Sequence, residues 1–218
     1  MRMRMSDGKV ITAGAFLPHV LECNLMSELD AYVLAKVLQT LRDNPFLRIS
    51  VNLCVKSIVN KAWQEILHQA HDQDPAVTSR LIIELTEHAA VADIEALRNF
   101  MICYRKLGVA FAMDDFGAGY TSIRHFKTLP FDICKIDGDF VQALTDDSGA
   151  RVIFHSLAKI ARHFEMLVVA ECVENEKIAM LAEELGADAV QGFLYGRGDA
   201  TPSHRLSHYV ETAKAIAG

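Results

Sequence analysis

Polar and ionisable residues interrupt or close six short apolar segments of the chain, and their types could do chemistry. The segments are otherwise typical of buried β-strands, so each polar group falls at or near a strand end. These residues are Asn52, Glu84, Asp114, Asp115, Lys135, Asp137, Glu171 and Gln191. Any one of them alone could belong to a structural ion pair, but six agreeing strand ends indicate a functional site.

Carboxylates dominate this set, and they predict a divalent cation. Burying four of them near one another would be prohibitive without compensating positive charge. Lys135 supplies one such charge, and a metal ion is the natural source of the remainder. Oxygen ligands with no His or Cys among them favour Mg²⁺ or Mn²⁺ over Zn²⁺.

Strand and helix patterns alternate along the chain and would position these residues. We predict strands at residues 46–54, 80–87, 109–115, 131–137, 166–172 and 187–193, each followed by a helix. Nearly all-apolar strands separated by helices indicate an α/β fold with a parallel sheet covered on both faces. Two closures of this sheet are possible. An open doubly wound sheet would require a glycine fingerprint after an early strand, and a barrel would require about eight strands.

Helix boundaries and the N-terminus complete these predictions. Ser27 followed by Asp30 resembles a capping box, a later helix begins near Asp93, and a final helix lies near 203–216. Residues 1–18 predict no regular element and lead straight to a helix, so the shortfall of two strands relative to a barrel lies at the N-terminus.

Length and composition limit the class of protein. The 218 residues suit one domain, assigned to 1–218, and the net charge of -6 argues against a DNA- or RNA-binding protein. No apolar run is long enough to span a membrane. An odd number of cysteines without a CxxC pair predicts buried free thiols and a cytoplasmic protein. These cysteines are Cys23, Cys54, Cys103, Cys134 and Cys172.

Several longer motifs carry a resemblance to a known family. They are "FLP" (16–18), "VNLC" (51–54), "IELTE" (83–87), "DDFGAGYTS" (114–122), "LPFDICKIDGDFV" (129–141), "VVAECVE" (168–174) and "QGFLYGR" (191–197). In this order they resemble the EAL-domain family of cyclic-di-GMP phosphodiesterases. The resemblance implies a modified (β/α)8 TIM-like barrel that hydrolyses cyclic di-GMP to linear pGpG in bacterial second-messenger signalling.

The resemblance also implies a role for each matching position. Asn52, Glu84 and Asp114 would ligate a metal, Asp115 would serve a second one, and both would be Mg²⁺ or Mn²⁺. Lys135 and Asp137 would help hold the attacking water, with Glu171 as general base. The remaining implied roles are substrate binding by Arg2 and Gln191, anchoring of the glycine loop by Glu87, and support of the site by Glu174.

Three departures from the family pattern are present. The naming EAL tripeptide is absent, and its metal-binding Glu would lie four residues before Arg2. Cys172 and Cys54 replace a glycine and a serine of the pattern. We therefore expect an N-terminally truncated domain with about six strands, sensor or GGDEF-type domains upstream in the parent protein, and a homodimer.

Two functions stay open at this point. One is the metal-dependent phosphodiesterase, and the other is a catalytically inactive module that binds cyclic di-GMP or another protein. The retained aspartate pair and Glu84 favour the enzyme. A Schiff-base lyase built on Lys135 would not explain the surrounding carboxylates.

Overall fold

The computed structural model describes residues 1–86, 93–118 and 124–197, and the chain divides into two compact units. The first comprises Met1–Asp43, Arg48–Phe111 and Thr128–Pro130. The second comprises Asn44–Leu47, Ala112–Lys127 and Phe131–Gly218. The predicted final helix at 203–216 lies outside the described residues.

The first unit opens with two elements that the sequence did not predict. Strands β1 (Arg2–Arg4) and β2 (Val10–Thr12) pair in antiparallel fashion, and helix α1 (Ala13–Glu22) follows directly. The prediction of no regular element in 1–18 is therefore wrong. Both strands are only three residues long and mostly exposed, so they lack the buried apolar alternation that identifies a strand in a sequence.

The rest of the first unit follows the predicted alternation. Helix α2 (Met26–Asp43) begins one residue before Ser27, so Ser27 is not its N-cap and that prediction is wrong. The next elements are β3 (Ile49–Asn52), a 3-10 helix (Val55–Val59), α3 (Lys61–Gln73), α4 (Pro75–Thr78), β4 (Leu81–Thr86) and α5 (Ile94–Arg105). Helix α5 begins near Asp93 as predicted, and the side chain of Asp93 caps it by accepting from the Ala96 N–H.

Strands β3 and β4 run parallel, and the helices of the first unit pack against them. Their register pairs Asn52 with Glu84. The interior of this unit consists of large apolar side chains from both strands and helices α2, α3 and α5. Fully buried members include Leu34, Leu38, Leu41, Trp63, Leu67, Leu81, Ile83, Leu85 and Leu97.

The second unit holds the remaining strands. Strand β5 (Ala110–Phe116) begins in the first unit and continues into the second. The elements that follow are α6 (Arg124–Thr128), β6 (Ile133–Ile136), α7 (Gly138–Gln142), a 3-10 helix (Ala143–Thr145), α8 (Ser148–His163), β7 (Leu167–Ala170), α9 (Glu176–Glu184) and β8 (Ala189–Val190). Strands β5 to β8 pair in chain order, and each pair is parallel. The α/β class and the six predicted parallel strands are confirmed.

The cysteines are free but differ from prediction in their exposure. Cys134 is buried in β6 and Cys54 is half-buried, whereas Cys23, Cys103 and Cys172 are exposed. Buried apolar neighbours misled the prediction for two of the exposed thiols: Met101 and Tyr104 flank Cys103, and Ala170 and Val173 flank Cys172.

Membrane crossing needs a long helix with almost no charged residues. No helix within 1–86, 93–118 and 124–197 has both the length and the apolar character for this.

Candidate active site

A bulge in β5 brings two consecutive aspartates to one place. The β5–β6 register shifts between Met113 and Phe116, so that Asp114 and Asp115 together oppose Lys135. Asp115 has a φ of 57°, in the left-handed region that Asp tolerates better than most residues. Successive side chains of a regular strand point to opposite faces, and a bulge of this kind re-aims one of them.

Lys135 lies between two carboxylates. Its Nζ is 2.6 Å from Asp114 Oδ1 and 2.6 Å from Glu171 Oε1. All three side chains are largely withdrawn from solvent, with exposed fractions of 5%, 14% and 13%. The β6–β7 register explains part of this geometry, because Lys135 pairs with Val169, and a residue two positions further on faces the same side of the sheet.

These four residues, Lys135, Asp114, Asp115 and Glu171, are called the Lys135 cluster below. Oxygens of its three carboxylates all lie within 4.8 Å of one another. Three carboxylates against one ammonium leave an excess of negative charge, which is costly where water is scarce. Asp115 is exposed, so the cluster is open to a ligand on that side. The donor set fits a hard divalent cation such as Mg²⁺ or Mn²⁺.

Burial is the main reason that the pKa of Glu171 rises to about 7. Lys135 opposes this rise through its hydrogen bond and its charge, while Asp114 and Asp115 add to it. A carboxyl group that titrates near neutral pH is suited to accept a proton from water during catalysis.

Backbone hydrogen bonds fix the segments after strands β6, β7 and β8. Three residues predicted at strand ends each donate an N–H to a carbonyl near the end of the preceding strand. These bonds are Asp137 to Phe116 at 3.2 Å, Glu171 to Ile136 at 3.2 Å, and Gln191 to Ala170 at 2.8 Å. The backbone at each of these three predicted residues is therefore fixed to the end of the neighbouring strand.

The segments after β7 and β8 are also joined to each other. The Val173 N–H donates to the Gln191 carbonyl, and the Leu194 N–H donates to the Val173 carbonyl. A Cβ atom at Gly192 would overlap the Val173 backbone, so glycine is required for this close approach. The side chains of Gln191 and Glu174 are exposed.

Asp137 has a structural contact in addition to its predicted role. Its Oδ1 accepts from the Asp139 N–H at 2.9 Å and so caps helix α7. Its role in holding the attacking water stays a prediction.

In the first unit, Asn52 and Glu84 face each other across β3 and β4. Asn52 Nδ2 donates to Glu84 Oε2 at 3.3 Å, and the Leu53 N–H donates to the Glu84 carbonyl at 3.0 Å. Glu84 is buried, with 6% of its surface exposed. The structure thus brings these two predicted ligands together, and their binding of a metal stays a prediction.

Two other predicted site residues can be placed briefly. Arg2 lies on β1 and is exposed, and its contact with a substrate phosphate stays a prediction. Glu87 lies outside the described residues.

One buried acidic residue near β3 was not singled out from the sequence. Asp30 is 6% exposed and accepts hydrogen bonds from residues that follow Asn52. A signal was available, because Asp30 falls beside Ala31 and one turn before Leu34 on the apolar face of α2.

Comparisons with known proteins place matches along most of the chain. A family model described as "EAL domain" matches residues 1–198. The cyclic di-GMP phosphodiesterase PdeF of Escherichia coli (strain K12) is 33% identical over 201 residues, which are 90% of this chain and 27% of that protein. The bifunctional diguanylate cyclase/cyclic di-GMP phosphodiesterase MucR of Pseudomonas aeruginosa is 31% identical, over 86% of this chain and 28% of that protein. The chain thus spans about a quarter of the length of these relatives.

Solved structures show the same fold. A PaMucR phosphodiesterase in complex with c-di-GMP superposes with a TM-score of 0.83 at 30% identity, covering 94% of this chain and 84% of that one. The EAL domain of Xanthomonas citri FimX in complex with c-diGMP gives 0.85 at 16% identity, covering 93% and 82%, and supports the fold alone. The TIM-like barrel fold of EAL type is confirmed.

Proposed function

Because the chain belongs to the EAL domain family, we propose that it is a metal-dependent phosphodiesterase that hydrolyses cyclic di-GMP to linear pGpG. The Lys135 cluster is the observation that carries this proposal, since it gathers three carboxylates and one ammonium group at the ends of β5, β6 and β7. Support also comes from relatives named as cyclic di-GMP phosphodiesterases.

The carboxylates of the cluster would hold the metal. A bound divalent cation lowers the pKa of water and stabilises the charge that develops on the leaving oxygen. Asp114 and Asp115 offer oxygens that lie close to each other, and we propose them as ligands, with Asp115 serving a second metal. Asn52 and Glu84 are also proposed as metal ligands.

Glu171 would accept the proton of the attacking water. Its pKa of about 7 lets a large fraction be ionised at neutral pH while keeping it basic enough to take a proton. Lys135 donates to both Glu171 and Asp114, so it fixes the direction of the basic oxygen. Asp137 is proposed to help hold the water.

The remaining roles concern the substrate and the loop. Arg2 and Gln191 are proposed to contact the ligand, both being exposed. Glu87 is proposed to anchor the glycine loop, and Glu174 to support the site.

We further place this activity in bacterial second-messenger signalling in the cytoplasm. The name of MucR joins a diguanylate cyclase to the phosphodiesterase, which supports a GGDEF-type partner domain in the parent protein. The homodimer stays a prediction.

A turnover assay tests the proposal. The protein is incubated with cyclic di-GMP and Mg²⁺ or Mn²⁺, and pGpG is followed by chromatography with mass detection. We expect turnover that needs the metal, stops with EDTA and disappears in Glu171→Ala. The matched control is Glu184→Ala, because Glu184 is an exposed glutamate on α9 and its loss should leave the rate unchanged.

The other outcomes separate the alternatives. Tight binding of cyclic di-GMP without any pGpG would contradict the enzyme and support a receptor. Absence of both binding and turnover would contradict both functions and leave an interaction module.

A further inference from the structure

Asp30 is a buried carboxylate that the proposed chemistry does not use. It lies on helix α2 with 6% of its surface exposed, next to Ala31 and one turn from Leu34. A carboxylate withdrawn from water is costly unless it accepts hydrogen bonds, so its presence on an apolar helix face requires an explanation.

The partners of Asp30 come from a single short segment. Its Oδ2 accepts from the Cys54 N–H at 3.1 Å and from the Ser57 hydroxyl at 2.6 Å. Burial raises the pKa of Asp30, and these two hydrogen bonds oppose the rise. An apolar side chain at this position would leave the half-buried Cys54 N–H and the buried Ser57 hydroxyl without this acceptor, and the loss of an acceptor is usually more costly than the bond itself is worth.

The segment held by Asp30 is the one that leaves β3 just after Asn52. Strand β3 ends at Asn52, and the next two N–H groups go to opposite neighbours. Leu53 donates to the Glu84 carbonyl on β4, and Cys54 donates to Asp30 on α2. The chain is therefore fixed from both sides directly after the residue whose side chain faces Glu84.

We propose that Asp30 is a positioning residue that orients the Asn52 amide by anchoring Cys54 and Ser57. This inference rests on the proposed function, in which Asn52 is a metal ligand. It goes beyond that function because it assigns a role to a residue that the proposed chemistry does not use. Groups that orient a metal ligand commonly change metal affinity or activity by about 10- to 100-fold when removed.

The test compares three variants of the whole protein. Asp30→Ala removes both hydrogen bonds, while Asp30→Asn keeps an acceptor oxygen in the same place. Thr78→Val is the matched structural control, because Thr78 is also fully buried in the first unit and its hydroxyl donates to the Leu107 carbonyl at 2.7 Å. Thr78 precedes β4, and its hydroxyl also lies within hydrogen-bonding distance of the Pro75 carbonyl and of His71 Nδ1.

Two readouts report on Asn52 without using turnover. One is the side-chain amide signal of Asn52 in ¹⁵N NMR spectra, assigned by its loss in Asn52→Ser. The other is the Mn²⁺ dissociation constant, measured by the EPR signal of free Mn²⁺. We expect Asp30→Ala to shift the Asn52 signal and to weaken Mn²⁺ binding by about tenfold or more. Asp30→Asn should restore both, and Thr78→Val should change only the urea midpoint.

An unchanged Asn52 signal in folded Asp30→Ala would overturn the inference and leave Asp30 a purely structural residue. If Asp30→Ala does not fold, Ser57→Ala removes one of the two bonds and should shift the signal in the same direction by less. If the wild-type protein binds Mn²⁺ but releases no pGpG, the proposed function fails, and the Asn52 signal still decides the role of Asp30.

Discussion

Asp30 and Glu171 are both carboxylates whose pKa is raised mainly by burial, yet their partners differ in kind. Asp30 accepts from a backbone N–H and a hydroxyl, which are neutral donors. Glu171 lies against the charged Lys135 and near Asp114 and Asp115. Neutral donors let a carboxylate hold a segment in place, whereas a cluster with excess negative charge can bind a cation and exchange a proton. Both carboxylates are therefore buried, and their partners distinguish the proposed chemical role of Glu171 from the proposed positioning role of Asp30.

The largest expected difference is in turnover. Glu171→Gln keeps the size of the side chain but removes the proposed general base, so we expect kcat to fall by roughly 10²–10⁴-fold. Asp30→Asn keeps its acceptor and should stay close to the wild-type rate. Steady-state pGpG production measures both, and an equal loss in the two variants would break the distinction between the two carboxylates.

Lys135→Met should have the next largest effect, on stability. It leaves Asp114 and Glu171 buried without their shared cation, which costs about 3–5 kcal/mol for a buried pair. Added Mg²⁺ should recover part of this loss, because the metal supplies the missing charge. Urea unfolding in EDTA and in Mg²⁺ measures the free energy of unfolding.

The control for that variant is Lys159→Met, since Lys159 is an exposed lysine on α8. It should change stability little in either condition. The interpretation of the Lys135 cluster as a metal site would be wrong if Mg²⁺ stabilised Lys135→Met no more than it stabilised Lys159→Met.

A smaller effect is expected in the pH dependence of stability without metal. The pKa of Glu171 is about 7 in the folded protein against an ordinary value of 4.5, so the folded state holds this proton more tightly. The resulting stability is complete below pH 4.5 and is lost as the pH rises through about 7. Glu171→Gln should flatten this decline, as judged from urea midpoints on either side of pH 7 in EDTA.

Asp30 is the comparison for Glu171, because burial also raises the pKa of Asp30 and its contribution to stability is likewise lost as the pH rises. Asp30→Asn should remove only its own part of the decline. Mg²⁺ should flatten the decline in the wild-type protein and in Asp30→Asn, but it should have little further effect in Glu171→Gln. If Mg²⁺ flattened the pH-dependent decline in stability equally in all three proteins, the ionisation of Glu171 would not be coupled to metal binding.

The smallest effect concerns Cys172, the residue directly after Glu171. Its φ of 53° is in the left-handed region, which costs a non-glycine residue about 1–2 kcal/mol. Cys172→Gly should therefore stabilise the protein by up to about 1 kcal/mol after the added flexibility of glycine is subtracted. Turnover should be unchanged, and thermal unfolding provides the measurement.

A double-mutant cycle sharpens that prediction. A Cβ atom on Gly138 would lie 2.6 Å from the Cys172 sulfur, so Gly138→Ala should destabilise the wild-type protein. The same substitution should cost less in the Cys172→Gly background. Equal costs in both backgrounds would show that the sulfur does not limit this contact.

The sequence predicted the six parallel strands well because each is an apolar run bounded by turn residues and followed by a helical pattern. It failed at the N-terminus, where β1 and β2 are too short and too exposed to show a pattern. It also misjudged Cys103 and Cys172, because neighbouring apolar residues do not reveal which way a single side chain points.

In the site, too, the sequence pattern predicted the regular parts of the structure but not the local irregularities. Asp114, Lys135 and Glu171 could be placed near one another because the carboxyl ends of parallel strands share an edge. The bulge that lets Asp115 join them could not be predicted, since regular alternation would send two consecutive aspartates to opposite faces. Asp30 was recognisable as a charge on an apolar helix face, but only the structure identifies its partners.

Anomalous X-ray scattering from crystals of the protein soaked in Mn²⁺ tests most directly whether the Lys135 cluster is a metal site. We predict a strong anomalous peak within coordination distance of carboxylate oxygens of Asp114 and Asp115, and its loss in an Asp114→Ala, Asp115→Ala double variant. Ordered Mn²⁺ elsewhere in the crystal, with none at these two aspartates, would contradict the assignment.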